Sequence, residues 1–237
     1  MTKKTIVITG SSKGIGRAIL EKFAAEGFVA IACSRNPQHL ETLQAKFQQR
    51  YPGSELQVLA ADLSQRSETF RFAEFVRATG LAVDVLVNNV GLFIPGQICD
   101  EPDGNLELMM QTNLYSAYDL TRALMDQFLQ RKQGHIFNIC SIASLMPYPK
   151  GSSYCITKFA LLGFSKVLRE ELKPHNVKVT AILPSATLTD SWQGTDIPSD
   201  RFIRAEDVAD MVYACHALSP QCVPEEILLR PQAGDIL

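Results

Sequence analysis

Tyr154 and Lys158 stand four residues apart in Tyr154-Cys155-Ile156-Thr157-Lys158, and Ser141 precedes the tyrosine by thirteen positions. On a helix, residues i and i+4 share a face, so this spacing sets a phenol beside an ammonium. The cation favours the phenolate, which makes the tyrosine usable as an acid or base near neutral pH. A serine hydroxyl leaving a strand nearby can donate to a substrate oxygen. At the amino end, Thr9-Gly10-Ser11-Ser12-Lys13-Gly14-Ile15-Gly16 follows an apolar run and opens an amphipathic one. Glycines there let the backbone turn sharply and approach a pyrophosphate, and the helix amino terminus offers it unpaired N–H groups. Taken singly, each feature has an ordinary use: a core tyrosine, a serine cap, a glycine-rich turn. As an ordered, spaced set they describe a hydride-transfer site.

The end of the second strand decides which dinucleotide fits. A site for the form lacking a 2′-phosphate places Asp or Glu about 20 residues past the glycine turn, on the ribose 2′-hydroxyl. Here the run is Cys33-Ser34-Arg35-Asn36, with no acid between Glu26 and Glu41. Arg35 and Lys13 suit a 2′-phosphate, which a carboxylate would repel. NADP(H) is the expected cofactor.

The elements that must position these residues alternate short apolar runs with longer amphipathic ones, the pattern of βα units around a parallel sheet. Strands are expected at 5–9, 28–33, 56–60, 83–87, 135–139, 177–183 and 226–229, and helices at 14–25, 37–50, 64–78, 106–131, 153–173 and 205–218. Successive apolar residues such as Ile6-Val7-Ile8 mark strands covered on both faces. The expected class is α/β, a doubly wound Rossmann-type three-layer fold with a seven-stranded parallel sheet. Residues 184–204 form an irregular loop long enough to be functional, and 92–103 a second.

The 237 residues, 46% hydrophobic and 20% charged, fit one domain spanning 1–237. A net charge of -2 gives no general attraction to nucleic acid or anionic lipid, so neither is an expected partner. The start lacks the apolar stretch of roughly 7–15 residues that a signal peptide needs, and no apolar run approaches about 18 residues. A cytoplasmic location is expected. Six cysteines show neither CxxC nor paired metal spacing, so free, mostly buried thiols and no metal are expected. Cys140 and Cys155 beside the reactive residues read as small apolar fillers.

In order along nearly its whole length, the chain resembles the short-chain dehydrogenase/reductase family in its single-domain form. Residues 9–16 are similar to the family's TGxxxGxG turn, with Gly10, Ser12, Lys13, Gly14, Ile15 and Gly16 at cofactor-contacting positions. Asp62, followed by Leu63, matches the acid that bonds the adenine amine, and Asn88-Asn89-Val90-Gly91 is similar to NNAG, with Asn89 and Gly91 facing the cofactor. Asn113, Ser141, Tyr154 and Lys158 fall where the family keeps its catalytic tetrad. Lys13 and Arg35 occupy the two basic positions of its NADPH-preferring members.

The resemblance implies that Tyr154 is the general acid/base and that Lys158 lowers its pKa and holds the nicotinamide ribose. Ser141 binds the carbonyl oxygen, and Asn113 bends its helix and keeps a water that relays protons to Lys158. Thr187 and Thr189 are implied cofactor contacts. Two positions depart from the pattern: Val90 replaces the alanine of NNAG, and Ser185 the glycine after the sixth strand.

The substrate site, with Ser141, Tyr154 and Trp192, is expected to be lined by Leu92, Phe93, Ile94, Pro95, residues 142–148 and the loop around Leu188. Arg201 and Arg204 lie near enough in sequence to contribute. The lining is mostly apolar and aromatic, which suits a neutral small-molecule carbonyl or the corresponding alcohol. Residues 229–236 resemble the sepiapterin-reductase-like branch of the family, which leaves a pteridine side-chain carbonyl, a diketone and a 3-oxoacyl thioester open. A non-catalytic NADPH sensor is the alternative reading, although such members usually lose the tyrosine or the lysine. Relatives pair through the helices at 106–131 and 153–173, so a homodimer or homotetramer is implied.

Overall fold

The computed structural model describes residues 3–192 and 194–236. In chain order the elements are β1 (Thr5–Thr9), α1 (Gly14–Ala25), β2 (Val29–Ser34), α2 (Pro37–Arg50), β3 (Leu56–Ala60), α3 (Arg66–Ala78) and β4 (Val85–Asn88). There follow α4 (Asn105–Met110), α5 (Ser116–Arg131), β5 (Gly134–Ile139), α6 (Ser152–Leu172), β6 (Val177–Pro184), β7 (Thr187–Leu188), β8 (Ile203–Arg204), α7 (Ala205–Ala217) and β9 (Glu226–Leu229).

Seven strands form one parallel sheet in the order β3-β2-β1-β4-β5-β6-β9. The period-two alternation of β1 sends its side chains to two cores. Ile6 and Ile8 pack with Ile19 and Phe23 of α1 and Val208 and Val212 of α7. Val7 packs on the other face with Phe72 of α3, Leu124 of α5 and Leu168 of α6. Two-sided burial explains the continuous apolar runs, and the fold is the doubly wound, three-layer Rossmann type. The chain winds outward from β1 to β3 and then in the opposite sense from β4 to β9. The loops leaving β1 and β4 therefore diverge, opening a crevice at the carboxyl edge of the sheet.

Three differences from expectation have local causes. The helix expected at 106–131 is split by a π-helical turn, Gln111–Tyr115, between α4 and α5. Thr112 Oγ1 donates to the Leu108 carbonyl (2.7 Å) and Ser116 Oγ to that of Thr112 (2.6 Å), and such back-bonding disturbs the regular ladder. α3 begins at Arg66 and not at 64, because Asp62 Oδ1 accepts from both the amide (3.1 Å) and the hydroxyl (2.8 Å) of Ser64 in a local turn. The loop 184–204 is less irregular than expected: β7 pairs in parallel with β8, pinning both ends.

Candidate active site

The crevice holds a cleft of about 630 Å³ whose walls include the glycine turn, Ser34, Arg35, Asp62, Leu63, Asn89, Gly91, Ser141, Tyr154, Lys158, Thr187, Thr189 and Trp192. The tetrad and cofactor-contacting residues named from the sequence thus converge on one cavity, except Asn113, which stands just behind its wall.

The turn after β1 is built to leave space. Gly10 has φ +67°, a left-handed conformation that disfavours a side chain. A Cβ on Gly16 would lie 2.3 Å from the Gly10 carbonyl oxygen. Thr9 and Asn89 brace this turn from the neighbouring strands. Thr9 Oγ1 accepts from the amides of Asn89 (3.0 Å) and Val90 (3.1 Å), and Asn89 Nδ2 donates to the carbonyls of Thr9 (2.9 Å) and Gly10 (3.1 Å). Lys13 precedes α1 in extended conformation with no side-chain cap on the first turn, and Gly14, Ile15 and Gly16 of that turn line the cleft, an arrangement that suits an anion. Ser12 and Ser34 hydroxyls share a hydrogen bond of 2.7 Å. These features fit a dinucleotide with its phosphates over the turn.

At the other end of the cleft, α6 carries Tyr154 and Lys158 on one face, and Lys158 Nζ lies 5.7 Å from the Tyr154 ring centroid. Lys158 is only 3% exposed, and its ammonium donates to the Ile139 carbonyl at the end of β5 (2.8 Å). Phe93 meets the Tyr154 ring edge to face at 5.1 Å. Ser141 leaves β5 in extended conformation and its Oγ accepts from the Ala143 amide (3.1 Å), which fixes the oxygen and leaves its proton for another acceptor. Tyr148, a second phenol on the cleft, is held well above the usual tyrosine pKa, by burial first and then by Tyr154 beside it. Burial likewise pushes the Cys140 thiol up to about 11. Cys140 and Cys155 are both buried and unpaired, in keeping with their reading as fillers.

Asn113 sits in the π-helical turn. Its Oδ1 accepts from the Leu92 amide (2.6 Å), and its Nδ2 donates to the Leu92 carbonyl (2.9 Å) and Thr157 Oγ1 (2.9 Å). It therefore ties the loop after β4 to α6. Thr187 is buried with its hydroxyl on the Ser185 carbonyl (3.0 Å). Ser185, where a glycine was expected, donates to Asp235 Oδ1 (2.7 Å), and Asp235 also pairs with Arg230. The extra hydroxyl is thus used to fasten the segment that brings Ile236 to the cleft wall.

The apolar lining differs in detail from expectation. Leu92, Phe93, Ile142, Tyr148 and Trp192 line the cleft, whereas Ile94, Pro95 and Leu188 do not. Neither Arg201 nor Arg204 lines it, and Arg204 is bound to Asp207 in the first turn of α7. Sequence reasoning gave no contact or role to Thr9, Asp190 or Ile236 individually, because these meet partners far away in the chain. Thr157, within the Tyr154–Lys158 run, carried a signal in its hydroxyl at a mid-helix position.

The profile of the short chain dehydrogenase family matches residues 4–198. The chain belongs to that family. Among curated members, this short-chain dehydrogenase is 31% identical over 242 residues to the sepiapterin reductase of Chlorobaculum tepidum, covering 99% of this chain and 98% of that one. It is 28% identical to the 3-oxoacyl-[acyl-carrier-protein] reductase of Haemophilus influenzae, over 90% of both chains. Among solved structures, it superposes on the L-sorbose reductase of Gluconobacter frateurii complexed with NADPH and L-sorbose with a TM-score of 0.89 and 28% identity, covering 97% of this chain and 96% of that one.

Proposed function

We propose that this dehydrogenase is an NADP(H)-dependent carbonyl reductase, reversible in principle, with Tyr154 as general acid/base. The observation that carries the reading is the Lys158 ammonium, buried against the Tyr154 ring in the same cleft as Ser141 and the glycine turn. Gly10, Ser12, Gly14, Ile15 and Gly16 would hold the pyrophosphate, Lys13 and Arg35 the 2′-phosphate, Asp62 and Leu63 the adenine, and Asn89, Gly91, Thr187 and Thr189 the nicotinamide half. Bound there, the reduced nicotinamide supplies a hydride. Tyr154 gives its phenolic proton to the substrate oxygen, and Lys158 stabilises the phenolate that remains. Ser141 donates to the same oxygen and fixes its distance. Asn113 holds α6 and the loop after β4 together behind the lysine.

The apolar wall of Leu92, Phe93, Ile142, Trp192 and Ile236 favours a neutral, partly hydrophobic carbonyl over a charged one. Full-length similarity to a sepiapterin reductase supports a pteridine side-chain carbonyl or a diketone, and similarity to a 3-oxoacyl-thioester reductase keeps that substrate as the competing candidate. Residues 1–237 act as one domain, and a homodimer or homotetramer built on α5 and α6 is the proposed assembly. The test is NADPH absorbance followed with pteridines, diketones, simple ketones and 3-oxoacyl thioesters. Turnover of at least one class is expected. Tight NADPH binding with no turnover of any would favour the sensor reading.

A further inference from the structure

Lys13, at the entry to α1, holds its ammonium 3.2 Å from Asp190 Oδ2. Asp190 lies in the strap 187–192, which crosses the glycine turn closely: a Cβ on Gly14 would stand 3.1 Å from Thr189 Cγ2. The strap is rooted by the pairing of β7 with β8 and by the Ile203 amide on the Ala186 carbonyl (3.0 Å). At its far end Trp192 packs on Phe202 at 4.9 Å between ring centroids. Between these anchors, the Lys13–Asp190 pair fastens it across the cleft. That pair is open to water, with the two side chains 59% and 48% exposed. Arg35, the other basic residue on this part of the wall, is bonded to no carboxylate among the described residues.

We propose that Lys13 is exchanged between Asp190 and the 2′-phosphate of NADP(H), so that phosphate binding unfastens the strap and Asp190 acts as a cofactor-specificity residue. This rests on the assignment of Lys13 to the 2′-phosphate. A phosphate monoester carries close to two negative charges and three strong acceptor oxygens, whereas an exposed carboxylate–ammonium pair is weak. The exchange therefore runs toward the phosphate. By linkage, whatever the pair contributes to holding the strap is lost from the affinity for the phosphate and from no other part of the dinucleotide. Asp190 thus narrows the preference for NADP(H) over NAD(H) that Lys13 and Arg35 create, and ties the movement of a cleft wall to the presence of the phosphate.

The probes are adenosine 2′,5′-bisphosphate and adenosine 5′-monophosphate, titrated by calorimetry and by the emission of Trp192, the chain's single tryptophan. Asp190→Asn is expected to tighten the bisphosphate about three-fold, within the range of an exposed pair, and to leave the monophosphate unchanged. Its Trp192 emission should start close to the value the parent reaches only when saturated with the bisphosphate. Lys13→Ala should weaken the bisphosphate, and adding Asp190→Asn to it should then have no effect. If Lys13→Ala weakens the bisphosphate but Asp190→Asn alters neither affinity nor emission, the exchange is wrong and the Lys13 assignment stands. If Lys13→Ala leaves the bisphosphate untouched, the assignment fails and the exchange with it.

Discussion

Two phenols face the cleft, and their surroundings differ. Tyr154 has the Lys158 ammonium near its ring. Tyr148 is half-buried on the cleft wall, lies beside Tyr154, and has its pKa raised, so it stays neutral. Tyr154→Phe keeps the ring and its contact with Phe93, and is expected to cut kcat by about 10²-fold or more while NADPH affinity holds. Tyr148→Phe should alter KM with little change in kcat. Lys158→Ala should lower both kcat and NADPH affinity, since the ammonium spends one donor on Ile139 and has two left for the phenolate and the ribose. Steady-state kinetics with a cofactor titration checks all three, and turnover surviving in Tyr154→Phe would remove that residue from its role. The closeness of Tyr154 and Lys158 was readable in the sequence because helical period fixes what shares a face. Tethers such as Asn113 on Leu92 or Lys13 on Asp190 were not, because they depend on how distant segments meet in space.

At the level of elements, strands were legible for a simple reason: burial on both faces removes polar residues from runs such as Ile6-Val7-Ile8. The long helix after residue 105 was not fully legible, since hydroxyls at Thr112 and Ser116 turn inward onto the backbone and open a π-helical turn that apolar periodicity does not register. The amino end of α6 was read within one residue, 153 against Ser152, but what holds it was not legible. Gly151 supplies no side-chain cap and the first turn holds no acid, yet Ser153 Oγ donates to Glu101 Oε1 from 52 positions away. The loop carrying Glu101 is further joined to the residues entering α6 by Gly96, whose amide donates to the Lys150 carbonyl (2.9 Å). This clasp fixes the turn that presents Tyr154. Ser153→Ala strips the carboxylate of its donor beside a second oxygen, Oε2, that is already buried without a partner, a loss of about 1–3 kcal/mol. Chemical denaturation should report that loss, and kcat should fall with NADPH affinity retained. Glu101→Ala should match it, and Glu101→Gln, which still accepts the bond, should recover kcat. Equal kcat in all three variants would deny the clasp a part in positioning Tyr154.

Across the whole molecule, two features lie away from the cleft. On the face of α5 and α6, Tyr115, Tyr118, Phe159 and Val167 are exposed, Val167 by 57%, and part of this surface lines a groove of about 620 Å³. Apolar surface of this extent suits the proposed homo-oligomer, so Val167→Glu should shift the mass seen by light scattering toward one chain. A monomeric parent at micromolar concentration would contradict that assembly. The second feature lies at the opposite edge of the sheet, where His135 and His216 approach to 5.9 Å between ring centroids. Thr180 Oγ1 donates to the Pro224 carbonyl (2.6 Å) and so accepts from His135 Nε2 (2.8 Å), which leaves His135 Nδ1 bare. Both ring nitrogens of His216 are also buried without partners among the described residues. Burial, then the cations Lys4 and Lys178, bring the His216 pKa down to about 4, with Asp84 opposing weakly. Burial, His216 and Lys178 push His135 well below the usual histidine value. In the unfolded chain both titrate near 6.5. Above that pH neither state binds the protons and stability is unaffected. As pH falls below it, the unfolded state takes up protons that the folded state refuses, so stability drops, and for His216 the drop continues to about pH 4. His216→Phe, set among Phe23 and Phe28, removes one of these sites without removing a hydrogen bond. Thermal melts from pH 7 to pH 4.5 should show the parent losing Tm more steeply than the variant, and parallel curves would show that His216 does not set the acid limit of the fold.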